Sequence, residues 1–226
     1  MTVWTMIAKM SEGLGRTCAI FFLTLLFSLP LGLGVSLMRL SRKKVVSTIA
    51  RVYISILRGT PLMLQLLAVT YGPYYISKAL HGVMESIPVI STSREKLIPV
   101  VIAFALNYAA YFAEIYRGGI ESIGKGQYEA AEVLGYSRTQ CFNRIILPQV
   151  IKRIIPAVTN EVVTLVKDTS LAFTVAYQEM FTIGKQIANS QTSFMPFVIA
   201  GVFYFIFNGA VGWVMGRFEK RLSYYR

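Results

Sequence analysis

The chain has 226 residues, of which 54% are hydrophobic and 15% are charged. A soluble domain carries about a quarter charged residues, so the composition excludes a solvated globular protein, a disordered chain and a coiled coil. The net charge of +12 comes from cations placed between long apolar runs, which argues against nucleic-acid binding. We therefore predict an all-α polytopic membrane protein with a single membrane domain over residues 14–217.

Five hydrophobic segments are candidates for crossing the bilayer, since a helix spans the hydrocarbon with about 20 apolar residues. The first lacks the basic start and cleavage site of a secretion signal, so we expect it to be retained. The second is interrupted by Arg58-Gly59-Thr60-Pro61. The fourth contains several polar residues. Hydropathy alone would miss it and would count four spans. The predicted spans cover about 17–39, 49–77, 97–117, 154–176 and 194–216.

The distribution of Lys and Arg decides the number and orientation of the spans. Five cations lie in the segment 39–51, six in the segment 117–153 and four in the tail 217–226. Cytoplasmic loops carry the excess of positive charge, and five spans with the N-terminus outside put all three segments on the cytoplasmic side. We expect the segment 78–96, which contains the single His81, to be an external loop and the tail to be cytoplasmic.

Other chemistry has little support in the sequence. Cys18 and Cys141 are far apart, and one histidine does not make a catalytic or metal cluster. The segment Gly119-Ile-Glu-Ser-Ile-Gly-Lys125-Gly126 imitates a phosphate-binding loop. It lacks the final Ser or Thr that would hold Mg²⁺, and we expect no strand before it. We therefore predict that the chain is not an ATPase.

A cytoplasmic segment at 125–148 has a distinctive spacing. Glu129-Ala130-Ala131 is followed by Gly135 and, further on, by Leu147-Pro148. An isolated Glu-Ala-Ala triplet is usually a solvated helix, since both residues favour helices. Within the full pattern, we expect the alanines to allow close approach to a partner's groove and Glu129 to offer a carboxylate. Gly135 would end one short helix, and Pro148 suits the first turn of the next.

This spacing resembles the EAA motif of ABC-importer permeases, the loop that docks into the ATPase subunit. Three further segments resemble signatures of the polar amino-acid uptake subfamily. They are Arg58-Gly-Thr-Pro-Leu62 with Gln65-Leu66, Leu106-Asn-Tyr-Ala-Ala-Tyr-Phe-Ala-Glu114 with Arg117-Gly-Gly-Ile120, and Leu165-Val-Lys-Asp-Thr-Ser-Leu171. The resemblance implies the type I importer fold, also called MetI-like, in the plasma or inner membrane of a prokaryote.

The resemblance also implies partners. A second permease subunit, identical or homologous, would complete the pathway, and two cytoplasmic ABC ATPase subunits would bind ATP and Mg²⁺, leaving this chain without a cofactor. An external solute-binding protein would deliver a polar amino acid. The alternatives are a permease for another small solute and, less well supported, a helical channel, which has no use for a docking loop. A membrane enzyme is the weakest alternative.

Polar residues inside the predicted spans are candidates for the substrate site, since they are costly in the bilayer and usually face a cavity or a partner. On the third span, helical spacing places Asn107, Tyr111 and Glu114 on one face. The fourth span adds Asn160, Glu161, Lys167 and Asp168, and the interrupted second span adds Arg58.

Several roles stay open for these residues. The charges could instead pair with one another, as Arg58 with Glu114 or Lys167 with Asp168, or reach water by snorkelling. Asn107 could serve only as a hydrogen-bonding residue between helices. We expect Lys167 and Asp168 near the outer end of the fourth span, and Glu161 deeper. Gly212 and Gly216 form a small-xxx-small pair that could permit close helix packing.

Overall fold

A computed structural model describes residues 2–79 and 96–222 of the chain. The loop predicted at 78–96, with His81, and the last four residues of the tail lie mainly outside the described residues. In the part described, all regular elements are helical. In chain order they are α1 (Val3–Arg39), α2 (Lys44–Gly59), α3 (Leu62–Ala79), α4 (Leu97–Glu121), α5 (Lys125–Val133), α6 (Arg138–Cys141), a π-helix (Phe142–Ile146), α7 (Leu147–Asp168), a 3-10 helix (Thr169–Val175), α8 (Met180–Gln191) and α9 (Met195–Leu222).

Helices α1 and α4 pack along each other and carry the main core. The core is made of apolar side chains from α1, α3, α4, α7 and the 3-10 helix, with Phe104, Tyr108 and Phe112 of α4 at its centre. Gly32 of α1 lets the two helices approach closely, since an added Cβ would lie 2.8 Å from the Cβ of Phe112. Packing in this core sets the position of α4 along its axis relative to the neighbouring helices.

Helix α1 begins at Val3 rather than near residue 17, where the sequence predicts the span to start. Its first turns bury Met6 and Met10 against Met180 of α8. An added Cβ on Gly13 would lie 2.7 Å from the Cα of Met180. Tertiary packing therefore extends the helix beyond its most apolar stretch.

The interruption predicted in the second span is a sharp break between two helices. Helices α2 and α3 bend by 107° at Thr60 and Pro61. Thr60 is extended, with φ −120° and ψ 146°, as expected for a residue that precedes proline. The break turns the chain at the level of the middle of α4.

By length and composition, α1, α4 and α9 can each cross a membrane, and α2 with α3 can count as a fourth, broken span. Helix α7 does not meet this criterion, as its polar residues led us to expect. The described residues therefore contain several membrane-spanning helices, and the total of five spans with an external N-terminus stays a prediction.

The segment between α4 and α7 is a short helix, a turn and a longer helix. Gly135 ends α5 with φ +75°. The Tyr136 amide donates to the Ala131 carbonyl at 3.0 Å and the Gly135 amide donates to the Glu132 carbonyl at 2.9 Å, which is a Schellman motif. The predicted left-handed turn at Gly135 is thus present.

Pro148 lies in the first turn of α7, as predicted, but this helix does not start afresh there. Helix α6 runs through the π-helix directly into α7, and the Leu147 amide donates to the Phe142 carbonyl five residues earlier. Since proline has no amide hydrogen to donate, Pro148 interrupts the regular series of helical hydrogen bonds. The π turn just before Pro148 accommodates this interruption without ending the helix. One continuous helix therefore runs from Arg138 in the segment 125–148 to Asp168, one of the residues predicted for the substrate site.

Candidate functional site

A cavity of about 500 Å³ opens beside the break between α2 and α3. Five of the eight predicted substrate-site residues line it: Arg58, Asn107, Tyr111, Glu161 and Asp168. The other walls include Thr60, Pro61 and the first residue of α3. The cavity thus combines a guanidinium, two carboxyl groups and the ends of two helices, whose backbone dipoles are oriented.

The cationic side of the cavity is held by contacts to α4. The Arg58 guanidinium lies 5.0 Å from the centre of the Tyr111 ring, a cation–π geometry. Its Nη1 is also 4.0 Å from a Glu114 carboxylate oxygen. Arg58 remains exposed, so its charge is available to a ligand in the cavity.

The acidic side of the cavity lies on α7. The Tyr108 hydroxyl donates to Asp168 Oδ2 at 2.7 Å. Tyr108 is buried near the middle of α4, so Asp168 lies at mid-height of that helix rather than near an outer end, which corrects the predicted depth. Glu161 lines the same cavity and is half-buried. Tyr108 itself was missed, since an aromatic residue in an apolar helix carries no sequence signal of this role.

Asn107 belongs to a network that holds the break between α2 and α3. Its amide nitrogen donates to the Leu57 carbonyl and to Gln65 Oε1, both at 3.0 Å. Gln65 in turn donates to the Thr60 hydroxyl at 2.8 Å. The alternative that Asn107 bonds between helices is therefore present in the structure, alongside its position on the cavity wall.

Three predicted residues lie outside the cavity. Glu114 pairs with Arg117, whose Nη2 lies 2.6 Å from the Glu114 carboxylate. Asn160 and Lys167 are exposed on α7, away from the cavity wall. These three residues do not line the cavity of the single chain, and a role for them in the substrate site stays a prediction.

A second candidate surface is the tip of the segment 125–148, which the sequence predicts to be cytoplasmic. Glu129, Ala130, Gly135 and Pro148 are exposed and Leu147 is half-buried. Ala131 is only 1% exposed and packs with Ile123, Cys141 and Ile146. Its predicted role at a partner's groove is therefore corrected: its small side chain lets α5 approach the rest of the chain.

The sequence analysis missed the most exposed apolar residues of this tip. Val133 is 88% and Leu134 is 72% exposed at the end of α5. Beside them, Ser137 and Gln140 form a capping box that starts α6. The Ser-x-x-Gln spacing and an apolar pair before glycine were readable signals. These exposed apolar side chains are available for contact with another protein.

Glu179 was also missed. Its side chain is fully buried where α1, α8 and α9 meet. The carboxylate accepts from the Phe181 amide at 2.7 Å and the Thr182 amide at 2.6 Å, and it caps α8. The Tyr204 hydroxyl of α9 donates to it at 3.2 Å. Glutamate is an uncommon helix cap, so no sequence pattern indicated this role.

The glycine pair of α9 has no close neighbour among the residues that the structure describes. An added Cβ on Gly212 or Gly216 would meet nothing within 4 Å. The described helices therefore do not pack closely against this face. The predicted helix contact at this pair would require another chain.

Several helices long and apolar enough to cross a membrane, packed around a charged cavity, are the features of a multi-pass membrane transport protein. Residues 18–224 match the family of binding-protein-dependent transport system inner membrane components. The chain belongs to this family.

Similar proteins are named as amino-acid and opine permeases. The chain is 38% identical over 197 residues to the nopaline transport system permease protein NocM of Agrobacterium fabrum, covering 87% of this chain and 80% of that protein. It is 38% identical over 209 residues to the L-cystine transport system permease protein TcyL of Bacillus subtilis, covering 92% and 84%. A crystal structure of an amino acid ABC transporter with histidines aligns at a TM-score of 0.83 and 30% identity, covering 98% of this chain and 100% of that one.

Proposed function

We propose that the chain is the permease subunit of an ATP-driven importer for polar amino acids. Permeases named for cystine and nopaline among its relatives support this substrate class. The observation that carries the proposal is the cavity, where Arg58 faces Glu161 and Asp168. An amino acid presents a carboxylate and an ammonium group, and a site with both signs of charge complements each of them.

Family membership supports a proposal for the rest of the assembly. One chain supplies half of a pathway, so two permease subunits pair, each with five spans in a single membrane domain over residues 14–217. Two ATPase subunits bind ATP and Mg²⁺ on the cytoplasmic side, and an external solute-binding protein delivers the substrate. The chain is neither an enzyme nor a cofactor carrier, and it resides in a prokaryotic plasma or inner membrane.

ATP acts through conformation in this proposal. Nucleotide binding to the ATPase subunits favours one state of the permease pair. The free energy of the equilibrium between the two states shifts by the difference between the nucleotide's binding free energies for them. Because α6, the π-helix and α7 are continuous, a displacement of the docking tip is transmitted along α7 to Glu161 and Asp168. This is how the tip would control access to the cavity.

The test is amino-acid uptake by proteoliposomes that contain the complex with its binding protein. Glu161→Gln and Asp168→Asn each remove a charge from the cavity, and we expect each to weaken apparent affinity by about tenfold or more, since hydrogen bonds to charged groups contribute about 1.5–3 kcal/mol. Glu12→Gln, an exposed carboxylate on α1, is the matched control.

Unchanged affinity and rate in both cavity variants contradict the proposed site. Uptake that needs no nucleotide contradicts the importer and supports the helical channel. A panel of amino acids and other small solutes, scored by stimulation of ATP hydrolysis, separates the polar amino-acid importer from a permease for another solute.

A further inference from the structure

Helix α2 has three distinct faces. One is buried through Ala50 and Ile54. A second is exposed and apolar, with exposed fractions of 50–73%; it consists of Val45, Ile49, Val52 and Ile56. The third, which we call the polar face of α2, is exposed; it consists of Lys44, Thr48, Arg51, Ser55 and Arg58. These five follow i, i+4, i+7, i+11 and i+14 spacing, so they share one side of the helix.

The polar face of α2 leads to the substrate cavity. At the start of α2, the Ser47 hydroxyl donates to the carbonyl of Arg39 at 2.9 Å, at the C-terminal end of α1. At its other end, the Leu57 carbonyl accepts from Asn107 near the middle of α4. Helix α2 therefore climbs from one end of α1 to mid-height of the bundle, where Arg58 lines the cavity.

A face of this composition is unsuited to lipid. A charged side chain at the centre of the bilayer costs about 2.5–3.5 kcal/mol on insertion scales, and the polar face of α2 carries three cations. The apolar face beside it supplies a surface that suits hydrocarbon. An exposed polar face that ends at a substrate cavity instead fits a water-filled passage.

We propose that the polar face of α2 lines the cytoplasmic half of the translocation path. Lys44 and Arg51 then continue the positive potential of Arg58 from the cavity to the cytoplasm, and they attract the carboxylate group of the departing substrate. Between these cations, the hydroxyl groups of Thr48 and Ser55 form hydrogen bonds with water in the passage. The inference rests on the proposed function and on the predicted orientation, with the end of α1 at Arg39 on the cytoplasmic side.

The experiment measures accessibility of single cysteines in the complete complex, reconstituted with its ATPase subunits. Thr48→Cys and Ser55→Cys probe the polar face, and Val52→Cys and Ile56→Cys are matched controls on the apolar face of the same helix. Each is treated with anionic sulfonatoethyl methanethiosulfonate and with cationic trimethylammonium-ethyl methanethiosulfonate. The unsubstituted complex, with Cys18 and Cys141, sets the background.

We expect both polar-face cysteines to react and both controls to stay at background. The anionic reagent should modify Ser55→Cys about tenfold faster than the cationic one, since charge-lined clefts concentrate ions of opposite sign. Adding Arg51→Gln should reduce this preference. Trapping the complex with ATP and vanadate should slow the reaction, because the inner passage closes, whereas a face among lipid headgroups would react equally in both states.

Polar-face cysteines that stay unreactive overturn the inference, and so does equal reaction with both reagents or in both nucleotide states. Uptake by the unsubstituted complex is measured in parallel. If uptake depends on ATP and Ser55→Cys remains unreactive, this inference fails while the proposed function stands. If uptake is absent, the proposed function fails on its own.

Discussion

Glu179 shows how one buried charge joins three helices in this chain. Its carboxylate accepts hydrogen bonds from two amides of α8, and hydroxyl groups of α1, α8 and α9 surround it. Burial raises the pKa of the Glu179 carboxyl above its usual value, although the hydrogen bonds from Phe181, Thr182 and Tyr204 oppose the change. Glu179 lies between the fourth and fifth predicted spans.

The raised pKa predicts a specific dependence of stability on pH. The folded state binds this proton more tightly than the unfolded chain, so the contribution is complete below the unfolded pKa and is lost as pH rises through the folded pKa. We expect Glu179→Gln to reduce this decline. Thermal unfolding in detergent at a series of pH values measures it, with Glu12→Gln as the exposed control. Parallel curves for Glu179→Gln and the unsubstituted chain would contradict the assignment.

Periodicity predicted much of the substrate cavity, but it could not decide which polar residues face it. Helical spacing grouped Asn107 with Tyr111, and both line the cavity. The same reasoning placed Asn160 and Lys167 near Glu161, yet they point away. The rotation of α7 about its own axis is set by side chains such as Val162 and Leu165, which pack in the core. The hydropathy pattern does not predict this rotation accurately enough to separate neighbouring residues.

Among the elements, the junction of α4 and α7 is tightly packed around one glycine. A Cβ added to Gly119 would overlap a methyl group of Ile154 and lie 3.2 Å from Val150 Cγ1. The neighbouring Gly118 has nothing within 4 Å of the same position. These two residues of one helix therefore differ in the space around them while sharing backbone conformation.

We expect Gly119→Ala to destabilise the protein by about 1–3 kcal/mol through overpacking. Gly118→Ala should be neutral or stabilising, since alanine favours a helix by up to about 1 kcal/mol over glycine. Unfolding midpoints of the two variants, measured together, test the packing. Equal midpoints would show that α4 and α7 are not in close contact here.

Some of the short elements could be predicted from nearby residues in the sequence, and others could not. The turn at Gly135 follows from its own residue type, because glycine adopts positive φ at little cost. Helix α8 and the first turns of α1 support each other through Met180 and Met10, which are far apart in the sequence. Such long-range support leaves no periodic pattern in either segment alone.

At the scale of the whole molecule, two exposed surfaces are the candidates for function. One is the cavity beside the break between α2 and α3, and the other is the tip of the segment 125–148 with Val133 and Leu134. Composition and charge bias predicted a multi-pass protein with this tip inside, but a single sequence does not show which surfaces its partners cover. The continuous helix from Arg138 to Asp168 connects the tip to the cavity within one chain.

The central claim is that this tip couples the permease to its ATPase subunits. The most direct measurement is co-purification of the ATPase with the tagged permease, together with ATP-dependent uptake, for the double variant Val133→Glu, Leu134→Glu. The control is Val3→Glu, Trp4→Glu at the exposed start of α1, which adds the same charge elsewhere and outside the predicted spans. The account predicts that the tip variant stays folded but loses both the ATPase and uptake, while the control retains the ATPase. A tip variant that retains the ATPase and transports at the unsubstituted rate would contradict it.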